Sequence, residues 1–143
     1  IIFSVHPRTQ ARLDNLASKS INKKINFMKA IGFIDYIKLQ KEAFCVISDS
    51  GTISEESSIL NFPAITIRQA HERPEGMDEG LLIMSDLIPD KVINAVKIVT
   101  SSDQKNKRLL RRVVDYDGGR VSLKVLRIIH SYTDYINRVV WRN

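Results

Sequence analysis

Phe44-Cys-Val-Ile-Ser-Asp49 is the clearest buried strand in the chain, and Ser50-Gly51-Thr52 turns it at once into a helix bearing Glu55, Glu56, Ile59 and Leu60. Pro63 punctuates that helix, and Ala64–Arg68 reads as another β-branched strand. Working outward, Ile1–His6 is a short apolar run stopped by Pro7, and Thr9 is placed to cap a helix over Gln10–Ser18 with Leu13 and Leu16 as its stripe. Ile25–Lys29 reads as a short strand, and Ile34, Ile37 and Leu39 fit a helix ending near Ala43. On the other side, Gln69–Gly80 is a polar loop, Leu81–Met84 a strand, and Pro89 opens a helix to about Thr100. A further helix is expected from Ser102 to about Val114, Asp117-Gly118-Gly119 breaks the chain, and Val121–Trp141 is one long amphipathic helix. Strands alternating with helices make the class α/β, with a Rossmann-like parallel sheet covered by helices on both faces.

The 143 residues suit one ordinary domain, and 43% hydrophobic with 27% charged residues is globular composition, which argues against a disordered chain. No apolar run approaches the roughly 20 residues of a membrane span, so a membrane partner is not expected. The chain opens at Ile1 inside a strand-like run, which points to a start part-way through something larger. The one cysteine, Cys45, has no internal partner for a disulfide, and a reducing cytoplasm fits best. Three scattered histidines (His6, His71, His130) carry no metal-ligand spacing, so no metal is expected.

Charge is uneven. The chain carries 22 basic and 16 acidic residues, a net of +6, yet residues 1–104 sum to −1 and residues 105–143 to +7. Such a tail can meet a polyanion. Here its Lys and Arg alternate with Leu, Val and Ile at helical spacing with no aromatic stacking set, so they read as the solvated face of helices, and no nucleic-acid partner is expected.

In parallel sheets ligands bind at the carboxyl ends of strands, beside helix N-termini. That makes Ser50-Gly51-Thr52 the best candidate site: backbone amides and a helix dipole converge there, two hydroxyls add donors, and Gly51 admits an oxygen-rich ligand. Phosphate is the natural guest, although the P-loop pattern is absent and no Lys follows. Glu56, one turn into the helix, has the reach to accept both hydroxyls of a ribose. Glu55 and Glu56 project about 100° apart, so at most one faces the ligand. Arg73, in the loop after the next strand, offers a bidentate guanidinium suited to a diphosphate, and Pro74 restrains it to extended geometry. His6 falls on the same edge if its strand runs parallel. Each residue also has an ordinary structural role open to it: Ser50–Thr52 a plain helix cap, Glu56 a partner of the helix dipole, Arg73 a surface pair with Glu72 or Glu75, His6 a capping histidine, Cys45 strand packing.

Three blocks, Phe3-Ser-Val-His-Pro-Arg-Thr9, Ser48-Asp-Ser-Gly-Thr-Ile-Ser-Glu-Glu56 and His71-Glu-Arg-Pro-Glu-Gly76, resemble in order and separation the non-hydrolysing UDP-N-acetylglucosamine 2-epimerase family. The loop Gln69–Gly80 and the closing Ser131–Trp141 resemble the branch that inverts carbon 2 of a UDP-2-acetamido-2,6-dideoxy-L-hexose on the way to UDP-N-acetyl-L-fucosamine. The resemblance implies the carboxyl-terminal half of a two-domain GT-B-type fold, lacking its first strand, with the terminal helix crossing back onto an amino-terminal domain. It implies that Ser50, Gly51 and Thr52 hold the diphosphate, Glu56 the ribose hydroxyls and Arg73 the nucleotide. The Ile31–Tyr36 loop would meet the uracil, Tyr36 through its backbone, and His6 would face the cleft. Thr52 stands where the family often has a second glycine, which narrows backbone freedom but keeps a donor. The implied reaction is elimination of UDP across C1–C2 followed by re-addition with C2 inverted, without cofactor. Its base would lie in the absent amino-terminal part, and the complete protein would be a homodimer. Two other readings stay open: a stand-alone or degenerate nucleotide-sugar-binding module without catalysis, and the UDP-gripping half of a glycosyltransferase.

Overall fold

The computed structural model describes residues 1–15, 21–70, 73–102 and 107–142. It divides into two compact units, Ile1–Phe44 and Cys45–Asn143. In both, the strands pair in parallel and are joined through helices, as the alternation of elements requires.

The first unit contains β1 (Ile2–Ser4), α1 (Pro7–Asn15), β2 (Asn26–Met28) and α2 (Phe33–Glu42). β1 and β2 pair in register Ile2↔Asn26, Phe3↔Phe27 and Ser4↔Met28, and the Phe3 and Phe27 rings lie 5.4 Å apart. α1 begins earlier than Thr9. Proline is preorganised for a first helical position, so Pro7 starts the helix and His6 caps it. The His6 carbonyl accepts from the amides of Thr9 at 2.8 Å and Gln10 at 3.0 Å, and His6 Nδ1 accepts from the Arg8 amide at 3.2 Å. The expected extension of α1 to Ser18 runs into positions outside the described residues. The helix expected from Ile34 to about Ala43 forms as α2, with Gly32 at its N-cap, so Phe33–Tyr36 of the stretch that the resemblance treats as a loop are its first turn.

The second unit contains β3 (Val46–Ser48), α3 (Ile53–Leu60), β4 (Ala64–Thr66), α4 (Pro74–Asp78), β5 (Leu82–Met84), α5 (Pro89–Val99), a 3₁₀ turn at Val114–Tyr116, and α6 (Val121–Ile136), which continues into a π-helical turn at Asn137–Trp141. β4 is the central strand, in register Val46↔Ala64↔Leu82, and all three of its residues are buried. Ile53, Phe62, Ala64 and Leu82 form the core, with Val46 and Leu60 packed on it. α3 ends at Asn61, which takes the left-handed conformation (φ 61°) and donates its amide to Ser57 O at 2.9 Å. Cys45 precedes β3 rather than lying within it.

Two expectations fail here. The loop Gln69–Gly80 contains a helix, α4, because Pro74 supplies its first position. The helix expected over Ser102–Val114 does not form across its described residues 107–113. Its apolar and basic side chains serve a strap across α3 instead. Val113 is buried and donates its amide to Ser58 Oγ at 3.0 Å, while Arg108 donates to the carbonyls of Ser58 and Ile59 at 2.8 and 3.2 Å. A guanidinium at the last carbonyls of a helix complements its dipole. Arg111 pairs with Glu79 and Arg112 with Asp117, so much of the basic strap is matched within the unit. α6 forms as expected, with its apolar side chains exposed. No helix among the described residues is long and apolar enough to cross a membrane.

Candidate functional site

The carboxyl ends of β3, β4 and β5 converge in the second unit. Ser50 and Gly51 after β3, Arg68 and Ala70 after β4, and Arg73 at the start of α4 line one narrow crevice of about 20 Å³. It adjoins an open depression of about 400 Å³ bordered by Asp49, Ile67, Gln69 and Leu87. Gln69 Nε2 donates to Asp86 Oδ1 at 3.2 Å, tying the loop after β4 to the loop after β5. Asp86 is in the left-handed region (φ 62°), and the amide of Leu87, followed by Gln69, holds its carboxyl below the usual carboxylate range.

The head of α3 is not a plain side-chain cap. Thr52 occupies the N-cap with helical dihedrals and makes no capping side-chain bond. Its hydroxyl donates instead to Glu56 Oε1 at 2.7 Å, and Ser50 Oγ lies 3.0 Å from Thr52 Oγ1. Because the Thr52 proton goes to the carboxylate, the Ser50 hydroxyl donates to Thr52. Ser50, Thr52 and Glu56 are thus linked in one directed chain. The remaining acid, Glu55, pairs with Arg73 Nε. The two neighbouring carboxylates therefore part company: Glu56 joins the hydroxyl turn and Glu55 anchors the guanidinium. The Arg73 charge also helps hold the Glu75 carboxyl below the usual carboxylate range, and the Arg73 backbone (φ −134°, ψ 77°) stays outside the helical region, as a following proline demands.

Ser50, Gly51, Thr52, Glu56 and Arg73 thus lie together in the second unit, linked directly or through the crevice. His6 and Tyr36 belong to the first unit. His6 Nδ1 is engaged as a helix cap, which leaves the ring proton on Nε2. Of the Tyr36 backbone, expected to meet the uracil, the amide donates to Gly32 O at 2.9 Å inside α2. The amides at that helix end without an intrahelical acceptor are those of Phe33, Ile34 and Asp35. His71 and Glu72 of the third sequence block lie outside the described residues.

Two crevice residues were not anticipated. Arg68, just past β4, sits on the same sheet edge as Arg73 and was discoverable by the same rule. Thr66 ends β4 with a buried hydroxyl that makes no hydrogen bond, a donor and acceptor left open beside the crevice. Its signal was absent, since a threonine in a strand is ordinary. Cys45 carries no comparable chemistry, because burial pushes its thiol up to about 11.

The family model described as UDP-N-acetylglucosamine 2-epimerase matches residues 1–130. A UDP-N-acetylglucosamine 2-epimerase of Methanocaldococcus jannaschii is 36% identical over 138 residues, covering 94% of this chain and 36% of that protein. Among solved structures, the UDP-N-acetylglucosamine 2-epimerase from Rickettsia bellii superposes with a TM-score of 0.91 at 56% identity, covering all of this chain and 39% of its own. The Methanocaldococcus jannaschii enzyme in complex with UDP-GlcNAc and UDP superposes with a TM-score of 0.77 at 35% identity, covering 92% of this chain and 35% of that one. The chain spans little more than a third of the length of these relatives, with the α/β architecture of the GT-B-type epimerases. With more than half its length matched by the family model, this chain belongs to the UDP-N-acetylglucosamine 2-epimerase family.

Proposed function

We propose that this chain is the UDP-binding half of a UDP-N-acetylhexosamine 2-epimerase. In this reading, Ser50, Gly51 and Thr52 hold the diphosphate, and Glu56 accepts from the ribose hydroxyls. Arg73 adds charge beside the phosphates. Tyr36 at the head of α2 faces the uracil, and His6 faces the cleft. The reading is carried by the directed Ser50–Thr52–Glu56 chain at the head of α3, next to a crevice bearing Arg73. A ligand carbonyl or phosphate there meets donors at a helix N-terminus, while a diol meets a carboxylate one turn on.

Such a site stabilises departing UDP. C2–H is a weak acid, so elimination across C1–C2 needs a base as well as a stabilised leaving group. The base belongs to the part of such an enzyme outside this chain, so the 143 residues alone bind UDP and do not epimerise. The substrate is UDP-GlcNAc or UDP-2-acetamido-2,6-dideoxy-L-talose. The neighbour bound to UDP-GlcNAc supports the first, and the loop Gln69–Gly80 with the closing Ser131–Trp141 supports the second. The product would feed cytoplasmic synthesis of cell-surface polysaccharide precursors, and the complete enzyme would be a homodimer. The exposed apolar face of α6 would pack on the amino-terminal domain, as most of the relatives' length lies outside this chain.

The test is calorimetric titration of UDP into the chain and into Glu56→Ala and Arg73→Ala. Binding that weakens in both variants supports the reading. Binding unaffected by either places the nucleotide elsewhere.

A further inference from the structure

One phenol ties the strap before α6 to both helices that frame the crevice. Tyr116 Oη donates to Glu75 Oε1 on α4 at 2.8 Å and lies 3.0 Å from Ser54 Oγ on α3. With its own proton committed to the carboxylate, the phenol accepts from Ser54, and the chain runs Ser54 to Tyr116 to Glu75. Glu75 is a good terminus: its own backbone amide, then Tyr116, hold the carboxyl below the usual range.

The contact beneath this chain is close. A Cβ on Gly76 would meet Ser54 Oγ at 1.8 Å and stand 3.5 Å from Tyr116 Oη, so α4 lies directly on α3. Ser54 is itself buried, and a small side chain there permits that approach. α4 has five residues, too few to hold its shape without tertiary contacts. Ser54 follows Thr52 by two residues and Glu75 follows Arg73 by two.

We infer that Tyr116 is a positioning residue of the nucleotide site, fixing the Arg73 turn against the head of α3 through Glu75 and Ser54 rather than by touching ligand. The inference rests on the UDP-binding reading above. Its physical basis is preorganisation: a guanidinium already held in place loses less freedom when a diphosphate arrives.

The test compares the chain with Tyr116→Phe, Arg73→Ala and the double variant, titrating UDP and UMP, with hydrogen exchange measured on the unliganded proteins. Tyr116→Phe keeps the ring and removes only the hydroxyl. The expected result is an approximately fivefold loss of UDP affinity, a smaller loss for UMP, and no further loss when Arg73 is already alanine. Exchange should quicken at the amides of Glu79 and Leu81, which donate to Glu75 O at 3.3 Å and Gly76 O at 3.1 Å, and stay unchanged in β4. Equal losses for UDP and UMP that add to those of Arg73→Ala would overturn the inference, as would unchanged affinity and exchange. If the unmodified chain binds no UDP, the nucleotide reading fails by itself, and the exchange data alone decide whether the phenol fixes the turn.

Discussion

Thr52 donates its hydroxyl to Glu56 Oε1 at 2.7 Å, one helical turn along α3. This bond aims the Glu56 carboxylate back toward the turn that precedes the helix, whereas an unconstrained glutamate at that position would sample solvent. Thr52→Val should therefore weaken UDP binding about three- to tenfold by removing this bond to the carboxylate, while Thr52→Ser keeps the donor and most of the affinity. Calorimetry on both variants checks this, and equal losses would sink it.

Glu55 and Arg73 are both about one-third exposed, at 36% and 32%, so their ion pair adds little to stability. Glu55→Gln should change the unfolding free energy by less than about 1 kcal/mol. Arg73→Ala should be similarly mild for stability yet cost about tenfold or more in UDP affinity, since the charge-assisted phosphate contact proposed for Arg73 would be lost. Denaturant titration and calorimetry on the same samples separate the two effects.

Ser58 Oγ accepts the buried Val113 amide at 3.0 Å and carries the strap onto α3. Ser58→Ala leaves that amide without a partner and should cost about 1–3 kcal/mol in urea unfolding. A loss near zero would mean that the strap readjusts.

The Cys45 thiol, raised by burial to about 11 from an ordinary 9.0, stays neutral at physiological pH. Iodoacetamide should label the native chain slowly at pH 8, and quickly once it is unfolded. The folded state holds this proton more tightly than the unfolded state does. Its contribution is therefore complete below pH 9 and declines as pH rises toward 11. Fast native labelling at pH 8 would contradict the burial of the thiol.

α6 exposes Val125, Ile128, Ile129 and Tyr132, each close to half or more accessible. A contiguous apolar face of this kind drives association. The chain should self-associate with rising concentration in light scattering, and Val125→Glu with Ile129→Glu should restore a monomer without lowering Tm. A monodisperse unmodified chain at high concentration would count against an unpartnered face.

The order of strands and helices was legible because buried strands and amphipathic helices write their periods locally. Phe44–Asp49 flowing through Ser50-Gly51-Thr52 into α3 needed only adjacent residues to be recognised. The failures share a cause. Residues 107–113 have helical spacing, but the Arg108 guanidinium and the Val113 amide find partners on α3, at Ser58 and Ile59, that a helix of their own would not offer. α4 was hidden inside a polar loop because a single turn carries no period.

By itself, then, the sequence determined the α/β alternation, the family blocks and the cluster of donors at Ser50–Thr52. Only the tertiary structure decided which of two adjacent acids faces that cluster, sending Glu56 to Thr52 and Glu55 to Arg73. It alone brought Tyr116 to Ser54 and Glu75, 62 and 41 residues away along the chain. Local periodicity records which face a residue takes, but a hydrogen bond between distant segments depends on where packing sets them, and no short stretch of sequence encodes that distance.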